Sequence, residues 1–182
     1  MSQNVFWVEE NEKIKQRRNL LNLRKDQNRR PKMDAGNVEK EISRLDHFVG
    51  IFDIKTLPEI KLVSYPCSLI VLTNEHWISI FMNQNVIEIM DSMGYLSDKN
   101  MSKFLRTFIA AHLTGKSLMI TPKIQADDSN LCALYAICFL YFRTYLCGNL
   151  CDFCRLFTSN YDENCLIISK LYKNLKEIKN RS

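Results

Sequence analysis

The chain has 182 residues, 46% hydrophobic and 25% charged, which is material for one domain with a single core. Its apolar runs fall short of the roughly 18 residues a membrane-spanning helix needs, and residues 1–13 lack the apolar stretch of a secretory signal, so membrane-embedded and secreted classes are not expected. The net charge of +5 is uneven: residues 1–33 carry nine Lys or Arg against four Asp or Glu, whereas residues 34–182 carry sixteen of each.

That first segment reads as an appendage. Residues 13–25 pattern as a short basic helix, which the run Asn28-Arg-Arg-Pro-Lys32 breaks. Such a segment is either a solvated tail or a contact for phosphates or an acidic import receptor. We divide the chain into a basic N-terminal extension, 1–36, and a domain, 37–182. Asn37 is the expected cap of a first helix with Val38, Ile42 and Leu45 on its apolar face. A loop is expected over Phe48–Pro58.

Three strand patterns follow: a buried run at Ser68–Leu72, an alternating run at His76–Met82, and a return at Val86–Asp91 after the turn Asn83-Gln84-Asn85. Asp98–Leu113 is amphipathic with helical spacing. Ser117–Thr121 reads as one more strand. A polar loop, Pro122–Asn130, then leads into an apolar helix from Leu131 to Leu146, and two helices are expected near Leu150–Phe157 and Asp162–Ile178. Elements mixed in this order predict an α+β fold, with a small mixed, largely antiparallel sheet packed with helices.

Seven cysteines without a secretion signal are expected to be free thiols. Cys151 and Cys154 form a C-x-x-C, but a zinc site would want a second pair or nearby histidines. We assign no metal and no required cofactor.

Three positions suggest chemistry once taken together. His76 heads an apolar strand, Asp91 ends the next strand, and Cys132 opens an apolar helix behind a loop that carries Gln125. A lone strand histidine, a turn aspartate or a buried cysteine is each ordinary. Together they supply a thiol at a helix N-terminus, where the thiolate is favoured, and an imidazole to exchange its proton. They also supply a carboxylate to orient that ring. The Gln125 amide and the Cys132 backbone N–H can then hold an oxyanion.

This ordered set resembles the adenovirus protease (adenain) family, cysteine proteases related to the SUMO and ubiquitin-like-protein proteases. The resemblance rests on His76-Trp77, on Asp91-Ser-Met-Gly94, on Gln125 lying seven residues before Cys132, on the apolar stretch Ala133–Leu146, and on Phe48-Val-Gly-Ile-Phe-Asp53. It spans 37–146. Two positions depart from the family pattern: Ala133 stands where glycine is usual, and Asp91 where adenoviruses carry glutamate. A left-handed backbone at Ala133 would be strained, and Asp127 and Asp128 near Cys132 would oppose thiolate formation.

The resemblance implies a fold with the nucleophile at the N-terminus of a central helix, and a monomeric cysteine endopeptidase. Its expected catalytic residues are His76, Asp91 and Cys132. Its expected action is cleavage of viral precursor proteins after Gly or Ala during virion maturation, in the virion and the infected host cell. It further implies activation by DNA or a viral peptide, with DNA contact expected through the basic segment. The family's peptide-linking disulfide does not carry over, because no cysteine lies between Cys67 and Cys132. Met33-Asp-Ala-Gly36-Asn37 looks like a relaxed cleavage site, so self-processing between Gly36 and Asn37 is an expectation. The alternatives are an isopeptidase acting on ubiquitin-like modifiers, and a non-catalytic nucleic-acid-binding protein working through residues 1–33.

Overall fold

The structure is a computed structural model that describes residues 33–62, 64–96 and 100–180. The expected basic helix therefore lies outside the described residues. The compact unit that holds the described residues starts at Met33. Its first helix, α1 (Ala35–Ile42), is capped by Asp34 and not by Asn37. The Asp34 carboxylate accepts the Asn37 backbone N–H at 2.8 Å and its side-chain amide at 3.1 Å.

Five strands form one sheet in the order β1 (Phe48–Asp53), β2 (Cys67–Thr73), β3 (His76–Met82), β4 (Val86–Met90), β5 (Ser117–Ile120). The fold is α+β, as expected. The centre β2-β3-β4 is antiparallel, and the edge strands β1 and β5 each pair parallel with their neighbour. The expected loop at Phe48–Pro58 is corrected in its first half, which is β1. A register irregularity between Phe48 and Gly50 interrupts the alternation there, and a bulge at a glycine breaks the period on which a sequence reading depends.

Helices cover both faces. Ile78, Ile80, Ile87 and Ile89 pack against Leu105, Phe108 and Ile109 of α2 (Lys103–His112). Ser102 caps α2 by accepting the Leu105 N–H at 3.2 Å, so this helix starts later than the expected Asp98. The opposite face, through Ile70, Trp77 and Met90, packs with α3 (Cys132–Tyr145), α4 (Leu150–Cys154) and α5 (Tyr161–Lys179). Every residue of α3 from Ala133 to Phe142 is buried. A helix that is apolar all round belongs inside, and the sheet on one side with α1 and α5 on others provide that enclosure.

One buried ion pair ties α3 and α4 to the sheet. Glu88 of β4 accepts the Leu150 N–H at 3.0 Å and faces Arg143 at 3.2 Å, although that second approach lacks hydrogen-bond alignment. Burial raises the Glu88 pKa, and the Leu150 N–H and the Arg143 charge oppose the rise.

Candidate active site

The site forms where the ends of β3 and β4 meet the start of α3. Asn74 takes a left-handed φ of 54° in the β2–β3 turn, a conformation asparagine tolerates. That turn places His76 opposite Thr73 at the head of β3. In the β3–β4 ladder Ser79 pairs with Met90. Asp91, the next residue, thus comes into diagonal reach of His76. His76 Nε2 lies 2.7 Å from Asp91 Oδ1.

Asp91 is fully buried, and each of its oxygens is satisfied. Besides the imidazole, Oδ1 accepts the Met93 N–H at 3.2 Å and Oδ2 accepts the Leu96 N–H at 2.7 Å. Its backbone is clamped by the Thr121 hydroxyl, which accepts the Asp91 N–H and donates to the Asp91 carbonyl, both at 2.8 Å. The turn after it closes on Gly94 at φ 66°, where a Cβ would fall 2.9 Å from the Lys123 backbone nitrogen. Only glycine lets this turn approach the loop that carries Gln125.

Cys132 is the first residue of α3. Leu131 precedes it with no side-chain cap, so the first-turn N–H groups remain available to an anion. Burial would raise the Cys132 pKa, but the bond to His76, the N–H groups of Trp77 and Ala133, and the His76 charge together lower it. For His76 burial acts downward; hydrogen bonds to Asp91 and Cys132, with their charges, overcome it and lift the ring to about 9. With Nε2 given to Asp91, Nδ1 is the nitrogen left for the thiol. A thiol pulled down beside an imidazole pushed up favours a thiolate–imidazolium pair.

The two concerns from sequence are answered by geometry. Ala133 lies within the right-handed α3 and is absent from the positive-φ positions among the described residues. The Asp127 side chain is 76% exposed and engaged with Lys123 at 2.6 Å, and Asp128 is also exposed. Neither caps α3.

Gln125 is fully buried. Its Oε1 accepts from the Ser92 hydroxyl at 2.6 Å and its Nε2 donates to the Ser129 carbonyl at 2.8 Å. The Ser92 carbonyl also accepts the Ile124 and Gln125 N–H groups, each at 2.9 Å. From behind, buried Asn164 of α5 donates to the Ile124 carbonyl at 2.9 Å. Tyr95, half exposed, sets its ring edge-on to His76 with centroids 5.3 Å apart.

His76, Asp91 and Cys132 thus converge, and Gln125 is tied to the turn that follows Asp91. Gly36 and Asn37 lie elsewhere, in the first turn of α1. The expected scissile bond is therefore helical, a geometry from which a nucleophile cannot reach the carbonyl until the turn unwinds. Thr121, Ser92, Asn164 and Tyr95 were not singled out from sequence. They carry no local signal because their partners lie far along the chain. Cys151 and Cys154 sit in α4, and no cluster able to hold a metal occurs among the described residues.

No protein-family model matches the chain, and no curated protein matches it. Among solved structures, the central domain of the uncharacterized Lpg1148 protein from Legionella pneumophila gives a TM-score of 0.47 at 10% identity, covering 83% of this chain and 99% of that one. The ASFV pS273R protease gives 0.46 at 15%, covering 69% of this chain and 56% of that one. A de-sumoylating protease gives 0.40 at 10%, covering 79% and 76%. Likenesses this distant carry no inference about chemistry, which rests on the side chains themselves.

Proposed function

We propose that the protein is a cysteine protease in which Cys132 attacks, His76 moves the proton and Asp91 orients the ring. The observation that carries this is the His76–Asp91 bond of 2.7 Å on one ring nitrogen while the same ring couples to the Cys132 thiol. The thiolate adds to the scissile carbonyl carbon, and the C=O electron pair moves onto oxygen. The Gln125 amide and the Cys132 N–H are the donors assigned to that oxyanion. The imidazolium then protonates the leaving nitrogen and the C–N bond breaks, which leaves a thioester. Water, deprotonated by the imidazole, hydrolyses the thioester and restores the thiolate.

In its finer form the reading is an endopeptidase that cleaves viral precursor proteins after Gly or Ala in the virion and infected cell. The seven-residue spacing from Gln125 to Cys132 supports it over an isopeptidase acting on ubiquitin-like modifiers. DNA contact through the basic residues of 1–33, as an activator, belongs to the same proposal and predicts salt-sensitive stimulation of cleavage. The test is a peptide library presented to the full chain and to Cys132→Ala, with and without duplex DNA. Cysteine-dependent cuts after small residues support the endopeptidase. Cleavage confined to modifier–lysine conjugates moves the assignment to the isopeptidase. DNA binding that survives in Cys132→Ala, with no cleavage at all, leaves the non-catalytic reading.

A further inference from the structure

We propose that Tyr95 is a specificity-determining residue that packs against the substrate residue on the leaving side of the scissile bond and selects an apolar side chain there; this rests on the function proposed above. Tyr95 is 52% exposed, and its ring stands edge-on to His76 with centroids 5.3 Å apart. Only 11% of the His76 side chain is exposed, so a substrate reaches the imidazole through a narrow opening that the Tyr95 ring borders. The imidazolium must come within about 3 Å of the leaving nitrogen to protonate it. Adding that reach and the half-width of the imidazole to 5.3 Å leaves the nitrogen no more than about 10 Å from the centre of the Tyr95 ring. The acyl residue is drawn to Cys132, and the residue that supplies the nitrogen is drawn to His76 and its neighbour Tyr95.

The backbone presents the ring in a fixed place. Tyr95 lies between Gly94, whose N–H donates to the Asp91 carbonyl at 3.1 Å, and Leu96, whose N–H donates to Asp91 Oδ2 at 2.7 Å. Among the described residues His76 is its one ring partner. An aromatic face held beside the proton donor and left open to water has contact area to offer a ligand. The surface continues away from His76. Gly94 closes against the Lys123 backbone, and Lys123 Nζ lies 5.3 Å over the partly exposed ring of Tyr161. Asp127 meets the Lys123 charge at 2.6 Å, so the strip from Tyr95 to Tyr161 offers rings rather than net charge and suits an apolar side chain.

The experiment compares wild type, Tyr95→Phe and Tyr95→Ala as full chains. One set of quenched fluorescent peptides carries Gly-Gly before the scissile bond and Phe or Ser after it. A second set varies Gly against Ala before the bond with Phe held after it. Wild type is expected to favour Phe over Ser after the bond by about threefold or more in kcat/KM. Tyr95→Phe should keep that ratio, and Tyr95→Ala should bring it to about unity, with the Gly-to-Ala ratio unmoved in both. Alkylation of Cys132 by iodoacetamide involves no leaving peptide, so it reports on the His76–Cys132 pair alone and should be unchanged in Tyr95→Ala. A wild-type Phe-to-Ser ratio below about threefold overturns the proposal, as does a ratio that Tyr95→Ala leaves unchanged. A change confined to the Gly-to-Ala ratio also overturns it, and so does an alkylation rate that falls in step with kcat/KM, since Tyr95 would then act through His76. If the wild type hydrolyses no peptide, the hydrolase reading falls on its own. NMR of the 13C-tyrosine-labelled Cys132→Ala chain then decides, with the Tyr95 signals assigned by their loss in Tyr95→Phe. Tyr95 signals shifted by Gly-Gly-Phe-Gly and less by Gly-Gly-Ser-Gly uphold the contact; signals that answer neither peptide, or both equally, overturn it.

Discussion

Replacing Asp91 by asparagine tests the electrostatic heart of the site. The rise of His76 from 6.5 to about 9 corresponds to about 3 kcal/mol in favour of the charged ring. Asp91→Asn keeps the shape and removes the charge. Its carboxylate now accepts three donors, from His76, Met93 and Leu96, but an amide has only one accepting oxygen. One orientation turns its NH2 against the Leu96 N–H. The other turns it against His76, which must then present Nε2 as an acceptor and carry its proton on Nδ1, facing the sulfur. The first costs a buried donor-to-donor contact at Leu96, and the second bars the ring from taking the thiol proton. Burial still acts downward and only Cys132 still acts upward, so the ring pKa should fall below its wild-type value of about 9. The sign follows: activity that needs the imidazolium holds below the ring pKa and is lost as pH rises through it. The alkaline limb of kcat/KM, expected near pH 9 in the wild type, should move down by at least one pH unit. Activity at pH 7.5 should drop about 10²- to 10⁴-fold. The assay is the pH profile of peptide hydrolysis, with the pH dependence of Cys132 alkylation beside it. An unmoved alkaline limb with kcat/KM within threefold of wild type would mean that the Asp91 charge does not set the protonation of His76.

Three other perturbations probe the scaffold. Gly94→Ala sets a Cβ 2.9 Å from the Lys123 backbone nitrogen at φ 66°. It should part the Asp91 turn from the Gln125 loop and cut kcat tenfold or more, and wild-type kinetics would contradict this. Arg143→Met leaves the buried Glu88 carboxylate without its cation and should cost about 3–5 kcal/mol in urea unfolding while sparing kcat of the folded fraction; a loss under 1 kcal/mol counts against that pair. The Gly36–Asn37 bond should resist cleavage while α1 is intact. Asp34→Ala removes the cap and should increase self-processing at that bond, read by intact mass against Cys132→Ala; no truncated species in either active form would end the self-processing expectation.

Much of the fold could be read locally. The alternation in His76–Met82 and the apolar continuity of 133–142 each mark their element without outside help. Strand β1 escaped because a bulge at Gly50 breaks its alternation. The cap of α1 was misplaced because Asp34 and Asn37 are both good cap residues, and only the backbone at Asp34 decides between them. The site divides in the same way. Residues whose chemistry is distinctive and whose order is informative, namely His76, Asp91, Gln125 and Cys132, stand out in the sequence. Those that hold them do not. Thr121 bonds Asp91 across thirty positions, and Asn164 bonds Ile124 across forty. A threonine ending a strand and an asparagine within a helix look like any other until the fold brings them together.

The central claim is that Cys132 is a nucleophile activated by His76. Its most direct test is mass spectrometric mapping of iodoacetamide labelling across all seven cysteines at pH 6, in the wild type and in His76→Ala. Burial pushes Cys67 and Cys154 up to about 11, and Cys138 and Cys165 are also raised. Only Cys132 is lowered among the thiols whose shifts are resolved. Selective labelling of Cys132 in the wild type, lost in His76→Ala, is the predicted result. Labelling led by exposed Cys147 or Cys151, with Cys132 unreactive or indifferent to His76, would contradict it.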